Sequence, residues 1–177
     1  MLKVGKKAPD FSMSTTKNLE SLDHVVSLSD YQGKWLVLFF YPLDFTFVCP
    51  TEIRGFNSRI AEFTQLGAEV LGVSTDSVYS HRAWVKTSRD EGGLGGLDYP
   101  LASDITKQVA RDYGVLIEEE GIALRGLYII DPDGILRYQV VTDLSVGRSI
   151  EETLRVLQAL QTGGLCPIDW QPGERTI

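Results

Sequence analysis

The chain has 177 residues, a net charge of −7 at pH 7, 43% hydrophobic residues and 23% charged residues. This composition is ordinary for a globular protein large enough to have its own core, and the negative charge gives no electrostatic reason to expect nucleic acid or an anionic membrane as a partner. No apolar run approaches the roughly 20 residues of a membrane span, and residues 1–7 lack the apolar stretch of a signal peptide, so we expect a single domain over residues 1–177 in the cytoplasm.

The first part of the chain alternates between strand-like and helix-like patterns. Residues 35–41 are a continuous apolar run whose length and aromatic content are typical of a central strand buried on both faces. Apolar residues then recur at steps of three and four, which predicts a helix over residues 51–66 that a glycine ends. A second buried strand is predicted over residues 70–74, and Asp76 or Ser77 is positioned to cap a further helix.

The second part of the chain predicts a hairpin and a final helix. Residues 127–130 and 136–141 are strand-like and flank a turn with Pro and Gly at residues 131–134. Ser149 and Glu152 have the spacing of a capping box, which opens a helix that two consecutive glycines end. The element order predicts a thioredoxin-like α/β fold, in which helices cover both faces of a central mixed β-sheet, with additional structure at the N-terminus.

Two cysteines are present, Cys49 and Cys166, together with two histidines, His24 and His81. A secreted disulfide scaffold would use more cysteines in a shorter chain, and these dispersed residues are too few to predict a structural zinc site. Two interpretations remain open. The cysteines are buried apolar side chains, which is the commoner role of this residue, or they are redox-active.

Cys49 lies where a reactive thiol is expected. It follows the first predicted strand and sits just ahead of, or within, the first turn of the predicted helix, where unpaired N–H groups and the positive end of the helix stabilise a thiolate. Thr46 is three residues earlier, so its hydroxyl can reach the sulfur or a bound oxygen, and the ring of Pro42 can shield the sulfur from water. The competing interpretation is an inert cysteine among ordinary turn residues.

Two segments resemble those of a known family. Residues 42–52, with the sequence PLDFTFVCPTE, resemble the active-site loop of the peroxiredoxins. Residues 164–173, with the sequence GLCPIDWQPG, resemble the resolving-cysteine region of the typical two-cysteine group, which includes the bacterial alkyl hydroperoxide reductases. The resemblance extends from residue 4 to residue 176 and implies that the chain is a thiol peroxidase.

The resemblance assigns catalytic roles to individual residues. Cys49 corresponds to the peroxidatic cysteine, and Thr46 and Pro42 correspond to its pocket. Arg125 corresponds to the active-site arginine of the family. Without the resemblance, an exposed charge on a strand would be the preferred interpretation of this arginine.

Further residues match the surroundings of the family's site. Cys166, in a tail over residues 162–177, corresponds to the resolving cysteine, whereas an idle thiol is the alternative. Glu52 and Arg148 correspond to a supporting polar pair behind the site, with surface charges as the alternative. Trp84 corresponds to an aromatic residue near the pocket, although a core residue on a helix face explains it equally well.

The resemblance also implies the reaction and its partners. A hydroperoxide oxidises Cys49 to a sulfenic acid and leaves as water or an alcohol, and Cys166 of the partner subunit then forms an inter-subunit disulfide. Thioredoxin or a similar dithiol reduces this disulfide. The family pattern pairs the subunits head to tail in a homodimer, often built into a ring of five dimers, and requires no metal, flavin or haem as a cofactor.

Ionisation of a thiol does not by itself explain fast peroxide reduction. Lowering a thiol pKa from about 8.5 to about 6 raises the thiolate fraction at neutral pH roughly 30-fold, but the accompanying loss of nucleophilicity removes roughly 13-fold. The remaining acceleration must come from orienting the peroxide and stabilising charge on the departing oxygen. Arg125, the Thr46 hydroxyl and N–H groups at the helix start are the groups that we expect to do this.

Two other functions fit parts of the pattern. A thioredoxin-type disulfide reductase needs a Cys-x-x-Cys pair at the strand–helix junction, but the position three residues after Cys49 is Glu52. A holdase chaperone, as a second or main role, is the other alternative. Consumption of peroxide by the purified protein separates these classes, because a pure chaperone consumes none.

Overall fold

The computed structural model describes residues 2–177, which form a seven-stranded mixed sheet, a two-stranded hairpin and five α-helices. The strands are β1 (Ser12–Thr15), β2 (Val25–Ser27), β3 (Trp35–Phe40), β4 (Ala68–Ser74), β5 (Leu101–Ser103), β6 (Leu116–Ile117), β7 (Ile122–Ala123), β8 (Arg125–Ile130) and β9 (Leu136–Thr142). The helices are α1 (Cys49–Ser58), α2 (Ile60–Gln65), α3 (Val78–Lys86), α4 (Gln108–Asp112) and α5 (Ile150–Thr162), with 3-10 helices over Leu28–Tyr31 and Arg89–Glu91. The strand order in the large sheet is β2-β1-β5-β4-β3-β8-β9.

Strand β3 lies inside the sheet, parallel to β4 and antiparallel to β8. Its residues from Leu36 to Phe40 are fully buried, and they alternate between two cores on opposite faces of the sheet. Leu36, Leu38 and Phe40 pack with the N-terminal segment and α4 on one face. Val37 and Phe39 pack with α1, α2, α3 and α5 on the other face. The predicted strand buried on both faces is therefore confirmed, as is the thioredoxin-like mixed sheet with helices on both faces.

The helix predicted over residues 51–66 is in fact two helices. Helix α1 begins earlier, at Cys49, and ends at Ser58, and α2 follows after a break. The break lies at Arg59, whose φ of −116° and ψ of 15° leave the helical region. The Ser58 hydroxyl donates to the carbonyl of Gly55, and such local bonds compete with a continuous helix. The prediction of a single helix was wrong because the spacing of apolar residues carries no information about such side-chain hydrogen bonds.

The C-terminal predictions are confirmed in outline. Strands β8 and β9 form the predicted antiparallel hairpin. Ser149 caps α5 by accepting a hydrogen bond from the N–H of Glu152, but the Glu152 carboxylate pairs with Arg155, so only half of the predicted capping box forms. Gly163 ends the helix with a φ of 69°, in the left-handed region that favours glycine.

Other elements match the sequence less completely. Ser77, one of two predicted caps, accepts a hydrogen bond from the N–H of Ser80 at the start of α3. Strands β1 and β2 extend the sheet past β5 and supply the expected additional structure at the N-terminus. Strands β6 and β7 have two residues each, too few for a recognisable period. No helix within residues 2–177 is long and apolar enough to cross a membrane.

Candidate active site

Cys49 is the first residue of α1 and is fully buried. Its predicted position at the start of the helix is therefore confirmed. Residues 41–48 connect it to the end of β3, and Pro50 follows it, where a missing N–H costs little. The N-cap residue is Val48, whose side chain cannot accept a hydrogen bond. Pro50 has no N–H, and the N–H of Thr51 donates to the Val48 carbonyl at 3.1 Å, so this helix end acts on the sulfur through its positive partial charge.

Arg125 supplies a positive charge at the sulfur. Its Nη1 lies 3.3 Å from Cys49 Sγ. The guanidinium is held by the carbonyl of Leu144, 2.7 Å from Nε, and by the carboxylate of Glu52, 3.5 Å from Nη1. Because Arg125 is only 3% exposed, the interpretation as a strand-surface charge was wrong. This buried donor lies within hydrogen-bond distance of the sulfur and is fixed there by its other partners.

Glu52 and Arg148 form a buried ion pair behind Cys49. Arg148 Nε donates to Glu52 Oε2 at 2.9 Å, and Arg148 Nη2 contacts the same oxygen. Arg148 Nη1 also donates to the carbonyls of Phe40 and Gly126, each at 2.6 Å, so this side chain connects β3 and β8 with α1. Burial lowers the pKa of the Arg148 guanidinium, and the charge of Glu52 opposes that shift. Neither residue is the surface charge that was the alternative interpretation.

The loop before α1 carries the two predicted pocket residues, Pro42 and Thr46. Pro42 is buried, as expected of a residue that shields the site from water. The Thr46 hydroxyl donates to the carbonyl of Leu43 at 3.0 Å. The proton of this hydroxyl is therefore used within the loop, and the expectation that the hydroxyl reaches the sulfur or a bound oxygen stays a prediction. The Thr46 oxygen can still accept a hydrogen bond from a hydroperoxide.

A network of hydrogen bonds that was not predicted from the sequence fixes the loop over residues 41–48. The Asp44 carboxylate accepts hydrogen bonds from the hydroxyls of Tyr41 and Ser80, both at 2.8 Å, and lies 2.7 Å from His81 Nδ1. His81 Nε2 lies 3.0 Å from the Ala102 carbonyl, so both ring nitrogens of His81 face an oxygen. No sequence spacing signals that these residues meet.

Within residues 2–177, no three His, Cys, Asp or Glu side chains are grouped to hold a metal ion.

Trp84 packs beside this loop. Its side chain is fully buried, with its ring centroid 5.9 Å from those of Tyr41 and Phe45. Phe45 has a φ of 56°, a left-handed conformation that is unusual for a bulky residue, and the contact with Trp84 helps to hold it. Trp84 is thus a core residue that also supports the loop leading to Cys49.

Cys166 lies apart from Cys49 within the chain. It is half-buried in the segment after α5, with its Sγ 3.5 Å from Thr162 Oγ1 and 3.7 Å from the carbonyl of Ala159. Trp170 anchors this segment, because it is buried and its carbonyl accepts a hydrogen bond from Arg155 Nη1 at 3.0 Å. Both cysteines are free thiols in this structure.

We expect Glu52→Gln to destabilise the reduced protein by about 3 kcal/mol, because it leaves the buried charge of Arg148 without its partner. Chemical denaturation at a fixed protein concentration measures this free energy of unfolding. The control is Glu62→Gln, which breaks an exposed ion pair with Arg59 and should cost less than about 1 kcal/mol. Equal losses in the two variants would contradict the structural role of the buried pair.

Comparisons with known proteins agree on one family. The chain matches the AhpC/TSA family over residues 4–139. It is 60% identical to a rubredoxin-operon protein of Clostridium pasteurianum that is named as a peroxiredoxin, over 98% of each chain. It is 55% identical to the chloroplastic 2-Cys peroxiredoxin of Spinacia oleracea, over 98% of this chain and 67% of that protein. The crystal structure of reduced Plasmodium vivax 2-Cys peroxiredoxin superimposes with a TM-score of 0.95 and 40% identity, over 99% of this chain and 93% of that one.

Proposed function

The chain belongs to the AhpC/TSA family and is a peroxiredoxin, a thiol-dependent peroxidase, and we propose that Cys49 is the residue that attacks the hydroperoxide. The observation that carries this proposal is the position of the Cys49 sulfur, at the start of α1 and 3.3 Å from Arg125 Nη1. The sulfur of Cys166 lies instead beside a hydroxyl and a carbonyl, which do not stabilise a negative charge as a guanidinium does.

The first step is a displacement at oxygen. The thiolate attacks one oxygen of the hydroperoxide, so that an S–O bond forms while the O–O bond breaks. The departing oxygen takes a proton and leaves as water or an alcohol, and the sulfur becomes a sulfenic acid. Arg125 is placed to donate to the charge that develops on the oxygens, and Thr46 to accept a hydrogen bond from the peroxide. Glu52 and the carbonyl of Leu144 hold the guanidinium of Arg125, and Arg148 in turn holds the Glu52 carboxylate.

The second step requires Cys49 to leave its buried position. The thiol of Cys166 condenses with the sulfenic acid, which forms the disulfide and releases water. A disulfide needs its two Cα atoms within about 7 Å. Cys49 is fully buried in the first turn of α1, and the Cys166 sulfur lies against the end of α5. We therefore propose that the first turn of α1 unwinds before the disulfide forms.

A homodimer with an inter-subunit disulfide is supported by the edge of the sheet. Strand β9 is the last strand of the large sheet, and only its first residue, Leu136, is bonded on the outer edge, to Gly5 and Lys6. The rest of that edge is a template for pairing with a second chain. The segment carrying Cys166 borders the same groove as Arg137 and Tyr138 of β9. Pairing along β9 would therefore bring the tail of one subunit close to its partner.

An exposed apolar patch supports further assembly into a ring of five dimers. It consists of Leu43, Phe45 and Phe47 in the loop before α1, together with Tyr79 in α3. Phe47 is 94% exposed, and exposed patches of large apolar side chains mark interaction surfaces. We propose that a second dimer covers this patch, which would stabilise the loop that leads to Cys49.

Thioredoxin or a similar dithiol is the proposed reductant. Cys166 is half-buried, and its neighbours Leu165 and Ile168 are 71% and 91% exposed, so a disulfide at this position would be open to attack by a second protein. The cycle returns both thiols to their reduced form, which supports a reducing compartment such as the cytoplasm.

Cys166→Ser tests the two-cysteine cycle. The variant is expected to reduce one equivalent of peroxide per subunit at the wild-type rate, because the surroundings of Cys49 are unchanged. Continued turnover with thioredoxin should be lost, because no second thiol captures the sulfenic acid. Stopped-flow assays with and without thioredoxin measure both phases. Sustained thioredoxin-dependent turnover at the wild-type rate would contradict the role of Cys166.

A further inference from the structure

The ring of Phe39 lies against the guanidinium of Arg148, the buried cation behind Cys49. The guanidinium carbon is 5.3 Å from the centre of the ring. A guanidinium within about 6 Å of an aromatic ring centre is attracted by the negative charge on the ring face, and the attraction is strongest where water is excluded. Phe39 is fully buried and the Arg148 side chain is only 2% exposed, so this contact is desolvated.

Arg148 carries a charge that burial disfavours. Burial is the main cause that lowers the pKa of its guanidinium, and the neighbouring charge of Arg125 adds to that effect. Glu52 and the charge on Cys49 act in the opposite direction. Because two arginines share the single carboxylate of Glu52, the electron-rich face of Phe39 is a further group that offsets the positive charge.

The ring of Phe39 is held in place by its own neighbours. It stacks on Phe56 of α1, with ring centroids 4.7 Å apart and an angle of 14° between the ring planes. Gly72 lies beside Phe39 in strand β4, and a Cβ atom at this glycine would lie 2.8 Å from Cζ of the ring. The ring therefore fills space that a side chain at residue 72 would occupy, and it forms a fixed boundary for the Arg148 guanidinium.

The position of Arg148 matters for the first step of the reaction. Its guanidinium holds the Glu52 carboxylate, which in turn contacts the guanidinium of Arg125. Arg148 also interacts with the charge on Cys49 directly. When that charge moves onto the oxygens of the peroxide, a cation that is already in place stabilises it without reorganisation. A guanidinium that shifts among several positions would lose part of this effect.

We propose that Phe39 is a positioning residue for peroxide reduction, because the face of its ring fixes the Arg148 cation behind Cys49. This inference rests on the proposed role of Cys49. Phe39 takes no part in making or breaking bonds, and it acts on the reaction through Arg148. The electronic character of its ring therefore affects the rate at which Cys49 is oxidised, whereas an ordinary core phenylalanine affects a rate only through its packing.

Fluorinated phenylalanines at position 39 test this inference, because fluorine withdraws electrons from the ring face and changes the volume of the ring little. In the full-length protein, the rate constant for oxidation of Cys49 by hydrogen peroxide should fall with each added fluorine. With three fluorines it should be about threefold below the wild type, which is part of the roughly tenfold effect that a buried cation–π contact can supply. Stopped-flow kinetics under single-turnover conditions measures this rate constant.

The matched control is the same series of fluorinated residues at Phe63. This ring is fully buried in the same core as Phe39, and within residues 2–177 it makes no cation–π contact. No change in the rate constant is expected there. The same fall in both series would show that fluorine acts through packing and would overturn the role of Phe39.

Phe39→Leu is a second test, made with and without Arg148→Met. Alone, Phe39→Leu should slow oxidation of Cys49 about fivefold, and in the Arg148→Met protein it should change the already lower rate less than about 1.5-fold, because the group through which the ring acts is gone. Circular dichroism establishes that the variants are folded. An equal loss in both backgrounds, or equal rates throughout the Phe39 series, would overturn the role of Phe39 and leave the proposed function intact. A wild-type protein in which Cys49 is not oxidised at all would overturn both.

Discussion

Replacing Cys49 by serine is expected to abolish hydroperoxide reduction. A serine hydroxyl is not ionised near neutral pH and cannot form a sulfenic acid, so the first step loses its nucleophile. Serine is close to cysteine in size, and Arg125 can still donate to its oxygen, so the reduced fold should remain. Peroxide consumption in the presence of thioredoxin should fall to the rate of the buffer alone in a stopped-flow assay.

Cys166→Ser is the matched control for this loss, because it makes the same substitution at the other cysteine. It should retain one rapid turnover, whereas Cys49→Ser should retain none. A burst of one equivalent of peroxide consumed by Cys49→Ser would place the reactive thiol at Cys166 and contradict the assignment.

Arg125→Ala is expected to slow peroxide reduction by about 100- to 1,000-fold. This is the typical effect of removing one fixed donor to the charge that develops in a transition state. Here the donor is buried, and its Nη1 lies 3.3 Å from the Cys49 sulfur, so no water replaces it readily. The second-order rate constant for the first oxidation step, measured under single-turnover conditions, is the quantity to compare.

Arg137→Ala is the matched control for Arg125→Ala. Arg137 is also an arginine of the β8–β9 hairpin, but it is partly exposed and pairs with Asp131, so its loss should change the rate less than threefold. Circular dichroism establishes that both variants are folded. A loss under threefold in a folded Arg125→Ala would show that this arginine does not act in the chemical step.

The position of Cys49 could be predicted from the sequence because it depends on two strong local patterns. The apolar run over residues 35–41 predicted β3, and the helical spacing after it predicted α1. A cysteine between them had to lie near the start of the helix. The position of Arg125 is different, because it depends on the antiparallel pairing of β3 with β8. The local sequence pattern favoured an exposed charge on a strand, and only the resemblance to the peroxiredoxins identified Arg125 as an active-site residue.

Contacts between short polar side chains on separate elements could not be predicted. Asp44 and His81 meet because α3 packs against the loop before α1, and nothing in either segment alone signals this. The Thr46 hydroxyl was expected to reach the sulfur or a bound oxygen, and its hydrogen bond to the Leu43 carbonyl within the same loop was not predicted. The hydrogen bond from Arg54 Nη2 to the carbonyl of Gly93 likewise depends on how residues 92–96 fold back onto α1.

In the proposed cycle, Cys49 is oxidised first and the thiol of Cys166 then reacts with its sulfenic acid. The most direct measurement is peptide mass spectrometry of the reduced wild-type protein treated with one equivalent of hydrogen peroxide and no reductant. We predict one disulfide that joins the Cys49 and Cys166 peptides, with a covalent dimer on a non-reducing gel. Recovery of Cys49 as a free thiol while peroxide is consumed would contradict it.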